Sequence, residues 1–305
     1  MIKRFLEKHQ FKKMQEWVRA NARPLELAKW DFLFNNGKKE KIVEEMLKYQ
    51  NPDGGFGNAL EPDLLLPGSS AIASGEAIFT AYKYGVDCSE KWFAKLLDYF
   101  VSTMQNTPSF WEFAPKEVEN YPRPPWWGYG PDEKFAPNPC AIVASAMIVY
   151  GTEKHKAIGL KIAQKCFDFL LSEKHCGDHD SYCLIALVEK LKSVNSPLIT
   201  DEIISSMKRR ISENVCYDES QWSGYYPHPH QFADSPSSEW YDCVKDGIDK
   251  NLNYLLNNIN EDGVWQPNFS WGVDSDTARE VTKIWTGYIA VDRARILKNY
   301  NMIMT

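Results

Sequence analysis

Two stretches of this chain, residues 69–85 and 139–151, are apolar almost all the way round a helical wheel. The first carries Ala71, Ile72, Ala73, Ile78, Phe79 and Ala81; the second carries Ala141, Ile142, Val143, Ala144, Ala146, Met147, Ile148 and Val149. A helix with no polar face must be covered on every side. The stretches at 38–50, 90–105, 155–173 and 200–214 are their complement, with Lys and Glu on one face and Leu, Ile, Phe or Met on the other. Such helices belong on the outside. Helical periodicity also runs through 4–20, 24–36, 180–193, 236–258 with a break near Gly247, and 277–299, and no stretch shows a convincing strand alternation. Several starts carry caps: Asn138-Pro139, Ser235-Pro236, and a capping box at Thr277-Ala278-Arg279-Glu280.

Alternating outer and inner helices predict an all-α protein, an α/α toroid of about six helical hairpins, as one domain over 1–305. Inner helices start near 24, 69, 137, 180, 235 and 277, which fits a repeat of roughly 40 to 45 residues with insertions. The insertions lie at 51–68, 106–136, 216–234 and 260–276, each between an outer helix and the next inner one. In a ring of antiparallel neighbours those connections emerge on one rim, so the long loops are expected to share a mouth. Connections of that size are uncommon without a function, and aromatic-lined concavities are where small ligands sit.

The first of these loops opens with Gln50-Asn51-Pro52-Asp53-Gly54-Gly55-Phe56-Gly57-Asn58, whose glycines, proline and aspartate specify a tight turn. Asn260-Glu261-Asp262-Gly263-Val264-Trp265 echoes it, and Gln105-Asn106-Thr107-Pro108-Ser109-Phe110-Trp111 does so more faintly. Gln50-x-x-Asp53-Gly54-Gly55-Phe56-Gly57, followed by a Pro-containing turn and a small-residue helix, resembles the glycine-rich repeat of protein prenyltransferase β subunits and of squalene and other terpenoid cyclases. The resemblance implies the α/α toroid of those families and a central cavity for an isoprenoid chain. Its motifs are only partly present here. Prenyltransferases hold zinc with an Asp-x-Cys pair and a later His; His179-Asp180-Ser181-Tyr182-Cys183 looks like that later segment, but the chain has no Asp-x-Cys, so no metal is assigned. Asp274-Ser275-Asp276-Thr277-Ala278 is similar to the Asp-x-Asp-Asp-Thr-Ala acid of class II terpenoid cyclases, one aspartate short.

Composition narrows the classes further. An apolar fraction of 44% beside 25% charged residues is that of a globular protein, and a net charge of -6 argues against a nucleic-acid partner. Seven scattered cysteines with no Cys-x-x-Cys pair fit reduced thiols and a cytoplasmic protein. No signal peptide, no transmembrane run and no cofactor motif is read; a protein partner is left undetermined.

The candidate acids are Asp274 and Asp276, read either as a proton-donating pair or as caps of the last helix, then Glu61 and Asp63 in the rigid loop after the glycine turn, and Glu76 on the apolar stripe of its helix. The candidate ligand-binding residues are Phe56, the stiff aromatic loop of Trp126, Trp127 and Tyr129, then Trp222, His228 and His230, and finally Trp271, Trp285 and Tyr288, the last two sharing a helix face with Asp292. Packing down long loops is the alternative role for these rings. The expected function is binding or processing of a small isoprenoid-like ligand, by acid catalysis if the protein is an enzyme. Two rivals stand beside it: a glycoside hydrolase or polysaccharide lyase on an (α/α)6 toroid taking a saccharide, and a scaffold whose mouth is filled by its own tryptophans.

Overall fold

The computed structural model describes residues 4–107, 109–130, 134–172 and 174–304. Among them are twelve α-helices, short 3-10 turns and no strand; only isolated bridges occur, such as Gln50 with Phe56 and Phe56 with Ser70. The helices are α1 (Lys8–Asn21), α2 (Pro24–Phe34), α3 (Lys39–Met46), α4 (Ala71–Tyr84), α5 (Lys91–Thr103), α6 (Pro137–Tyr150), α7 (Glu153–Leu171), α8 (Asp178–Ser193), α9 (Asp201–Asn214), α10 (Pro229–Phe232), α11 (Tyr241–Asn257) and α12 (Asp276–Asn299). They fall into two compact units: Met46–Arg210, and a discontinuous one made of Met1–Glu45 with Ile211–Thr305.

The apolar helices organise the unit 46–210. α6 is buried from Cys140 through Met147 and packs against α4, α7 and α8, which is what a helix without a polar face requires. α5 is the opposite kind. It buries Trp92, Phe93, Leu96, Leu97, Tyr99 and Phe100 and leaves Lys91, Lys95 and Asp98 in water. In the discontinuous unit α12 packs on α1 and α2, and Trp30, Leu252, Leu255, Trp265, Ala290, Ala294 and Leu297 share one core.

The two glycine turns have the same hydrogen-bond pattern. Asn51 N–H donates to Gly55 O at 2.8 Å and Gly54 N–H to Asn51 O at 3.0 Å; Asn260 N–H donates to Val264 O at 2.9 Å and Gly263 N–H to Asn260 O at 3.0 Å. Gly54 sits at φ +93, and a Cβ there would lie 2.4 Å from the Lys95 carbonyl oxygen, so conformation and space both demand glycine. The aromatic residue that ends each turn, Phe56 or Trp265, is fully buried. Trp265 Nε1 donates to Leu255 O at 2.8 Å, and Trp111 Nε1, at the third turn, donates to Phe100 O at 3.1 Å. Each indole thereby satisfies a carbonyl near the end of the preceding helix.

Four local expectations change. α12 starts at Asp276 because Ser275 is its cap, accepting Ala278 N–H at 3.1 Å, so the capping box at Thr277 does not form. α11 starts at Tyr241, since Ser235 to Trp240 close into turns instead. It runs unbroken through Gly247, where a Cβ would lie 2.4 Å from the Tyr217 ring; this glycine admits a neighbour and does not interrupt the helix. The loop 216–234 also contains a helical turn, α10.

Candidate functional site

In the unit 46–210 the loops at 51–68 and 106–136 are joined by residues singled out from sequence. Asp63 is buried and accepts the Trp127 indole N–H at 2.7 Å. Trp127 stacks on Phe113 at 5.2 Å and packs with Leu64, Leu66, Ile72, Ala114 and Val118. Asp63 and Trp127 thus form one loop-to-loop anchor. Trp126 and Tyr129 stand exposed beside it, Glu61 is half-buried, and Phe56 lies in the core edge-on to Trp92. Glu76 is half-buried on α4 and accepts from the Thr80 hydroxyl at 3.3 Å.

Asp180, in the first turn of α8, is a further carboxyl group of this unit. It is held by backbone donors on both oxygens: Asn138 N–H reaches Oδ1 at 3.0 Å and Gly177 N–H reaches Oδ2 at 3.4 Å. Two buried thiols, Cys183 and Cys166, interact with it. Cys183, one turn on, is buried and donates to Asn138 Oδ1 at 3.5 Å, while burial pushes the Cys183 and Cys166 thiols well up, Asp180 adding to both. Burial likewise raises the Asp180 carboxyl above its ordinary 3.8, with a smaller push from Asp178, against the two backbone donors and His179. Asp180 is only half-buried, so it combines desolvation with access. The sequence signal existed: Asp178-His179-Asp180 has the spacing of Asp274-Ser275-Asp276.

In the discontinuous unit, Asp274 and Asp276 are exposed and both pair with Arg279, the second at 2.5 Å. They lie in water beside a helix start that Ser275 caps. Trp285 and Tyr288 of α12 stand 5.2 Å apart and extend an aromatic run through Phe269, 5.4 Å from Trp285, to Tyr225. Lys29 Nζ lies 5.4 Å over the Tyr288 ring. Behind it Glu26, fully buried, takes two bonds from Arg23 at 2.7 and 2.9 Å and faces Lys29 at 3.8 Å. Burial alone would raise the Glu26 carboxyl; Arg23 and Lys29 outweigh it and hold it below 4.5. Phe269, Lys29 and this buried trio carry no motif and were not legible as site residues. Trp271 is buried, and its indole N–H meets no acceptor among the described residues.

Trp222, His228 and His230 form one cluster. The Trp222 and His228 rings stack at 5.6 Å, and Asn251 bridges the histidines, 2.9 Å from His228 Nδ1 and 2.6 Å from His230 Nδ1. His228 Nε2 lies 3.2 Å from Trp222 O. With Asn251 Nδ2 donating and Oδ1 accepting, His228 carries its proton on Nε2 and His230 on Nδ1. Burial brings His228 down to about 3, aided by His230 and Arg293, and brings His230 down to about 4, aided by Arg293. Both rings are neutral at physiological pH. Among the described residues, no three His, Cys, Asp or Glu side chains are grouped to hold a metal ion, and no helix is long and apolar enough to cross a membrane.

No family model matches the chain, and no curated protein is significantly similar to it. Solved structures are. A substituted form of the type II terpene cyclase MstE from Scytonema, in complex with its substrate geranylgeranyl dihydroxybenzoate, matches at a TM-score of 0.50 and 11% identity, over 95% of this chain and 87% of that one. The apo form of the same enzyme matches at 0.49 and 10% identity, over 93% and 88%. At such identity the likeness defines the fold. This chain has the all-α fold of a type II terpene cyclase, the α/α toroid class that its helix pattern predicted.

Proposed function

We propose that this protein binds a linear isoprenoid-like molecule and cyclises it by acid catalysis, with Asp180 as the proton donor. The observation that carries the reading is the Asp180 carboxyl, half-buried, desolvated and oriented by two backbone N–H groups. Fold-level analogy adds the substrate class: the neighbouring MstE takes a geranylgeranyl compound. A carboxylic acid that keeps its proton delivers it to an alkene carbon of the substrate, forming a C–H bond and a carbocation. A second alkene attacks that cation to close a ring, and loss of a proton to a base restores a neutral product. The product is an isomer of the substrate. Aromatic faces stabilise cations without capturing them. Phe110 and Phe135, half-buried rings 6.2 Å apart, already face such a charge, the Lys165 ammonium 4.7 Å from each.

The Asp180 geometry is also that of a residue closing the first turn of α8, and the test separates the two roles. The purified protein is incubated with farnesyl and geranylgeranyl alcohols, acids and aryl conjugates, and products are read by mass and by loss of olefinic NMR signals. Wild type yields a cyclised isomer of at least one substrate. Asp180→Asn, which keeps an oxygen for Asn138 N–H, yields none while folding normally. Equal products from both proteins would remove Asp180 from the chemistry; no product from any substrate, with no binding, would remove the isoprenoid reading.

A further inference from the structure

Two arginines lie two residues apart on α12 and have opposite surroundings. Arg295 is spent: its guanidinium donates to Asp234 Oδ2 at 2.5 Å and to Asp292 Oδ1 at 3.2 and 3.3 Å. Arg293 is half-buried, and among the described residues no acceptor takes a hydrogen bond from it and no carboxylate stands within ion-pair distance. Its guanidinium carbon lies 5.5 Å from the buried Trp265 ring. Burial brings Arg293 down to about 10, with Asp292 and Tyr254 acting against it, so the group is a cation at any physiological pH.

The surroundings leave that cation available. Asp292 is engaged by Arg295, and Lys250, the cation over Trp222, is paired with Glu219 at 3.3 Å. His228 and His230 are neutral, so neither competes for an anion as a second charge. A guanidinium has five N–H donors in a planar fork, and a cation drawn out of water is normally paired with charge or hydrogen-bonded. Among the described residues Arg293 meets the Trp265 face and two neutral imidazoles, which leaves its donors for a ligand.

Helix geometry says which part of a ligand. Trp285, Ile289 and Arg293 are four residues apart in turn, one stripe of α12 beside Tyr288. Arg293 therefore stands about 12 Å along the helix axis from Trp285. One end of the stripe is aromatic and the other is a cation.

We propose that Arg293 binds the oxyanion headgroup, carboxylate or phosphate, of a ligand whose apolar tail lies along the Trp285 and Tyr288 stripe. The tail rests on the isoprenoid reading above; the head site is testable without it. Binding of geranylgeranoic acid, geranylgeranyl diphosphate and geranylgeraniol is measured by tryptophan fluorescence or calorimetry, with benzoate and pyrophosphate as headgroups lacking a tail. Wild type should bind at least one acidic isoprenoid tenfold or more tighter than the alcohol, and the rank of the two acids identifies the source of the oxyanion. Arg293→Gln should reduce that preference to within about twofold, and Arg293→Lys should retain part of it. Alcohol bound as tightly as both acids by the wild type would overturn the head site while leaving the isoprenoid reading standing, and needs no variant. An undiminished preference in Arg293→Gln would also overturn it. Binding of benzoate or pyrophosphate that depends on Arg293, with no isoprenoid bound, would uphold the head site and remove the tail.

Discussion

Asp178-His179-Asp180 and Asp274-Ser275-Asp276 are the same pattern, two aspartates two residues apart, at the first and third positions of α8 and on either side of the Ser275 cap of α12, and the structure gives them opposite surroundings. At α12 both carboxylates are in water, Arg279 pairs with them, and Ser275 supplies the cap. At α8 Asp180 is half-buried among the Cys183, Cys166 and Asn138 segments, and burial outweighs two backbone donors to raise its pKa. A helix start favours a negative charge in both cases. Desolvation decides between them, and desolvation comes from what is packed alongside.

The comparison breaks most visibly in turnover. Asp180→Asn should lower kcat/KM for cyclisation by about 100-fold to 10,000-fold, the range lost with a positioned general acid, while Asp274→Asn and Asp276→Asn stay within about twofold. The pH profile sharpens it further. Because the protonated carboxyl is the donor, the rate should be full below the folded pKa of Asp180 and fall as pH rises through it. Stability follows the same sign: a carboxyl raised on folding holds its proton longer in the native state, so the contribution it makes is present below 3.8 and is lost between 3.8 and the raised value. Denaturant titrations across that window should lose this slope in Asp180→Asn.

A smaller effect tests the other helix start. Ser275→Ala removes the hydroxyl that accepts Ala278 N–H and should cost about 1 kcal/mol of unfolding free energy with turnover unchanged. Smallest of all, Arg279→Ala should change stability by about 0 to 1 kcal/mol, less at high salt, since an exposed ion pair contributes little. A large loss of turnover in either variant would show that the exposed pair, and not Asp180, belongs to the site.

The parts of the fold legible beforehand were those fixed by local periodicity and turn chemistry. The all-round apolar pattern of 139–151 required the burial that α6 shows, and the glycines of the 50–58 turn required the positive φ found at Gly54. The 216–234 loop was less readable, because Pro229 to Phe232 form one helical turn too short for any periodicity to register. Among the site candidates, the aromatic pair Trp285 and Tyr288 was visible from helical spacing, but its continuation through Phe269 was not, since a loop ring carries no period. Asp63 and Trp127 were each visible but not as partners: they are 64 residues apart.

By itself, then, the order of residues determined that the chain is helical, which helices have no face for water, and where its turns and long loops fall, because those depend on neighbours within a few positions. The tertiary structure alone decided that Asp180 is half-buried while Asp276 is exposed, and that Arg293 has no acceptor among the described residues. Asp180 meets Asn138 across 42 residues, and Arg295 meets Asp234 across 61 while Arg293 beside it meets no carboxylate among the described residues. Burial and pairing of charge are set by segments distant in sequence, and no local pattern encodes them.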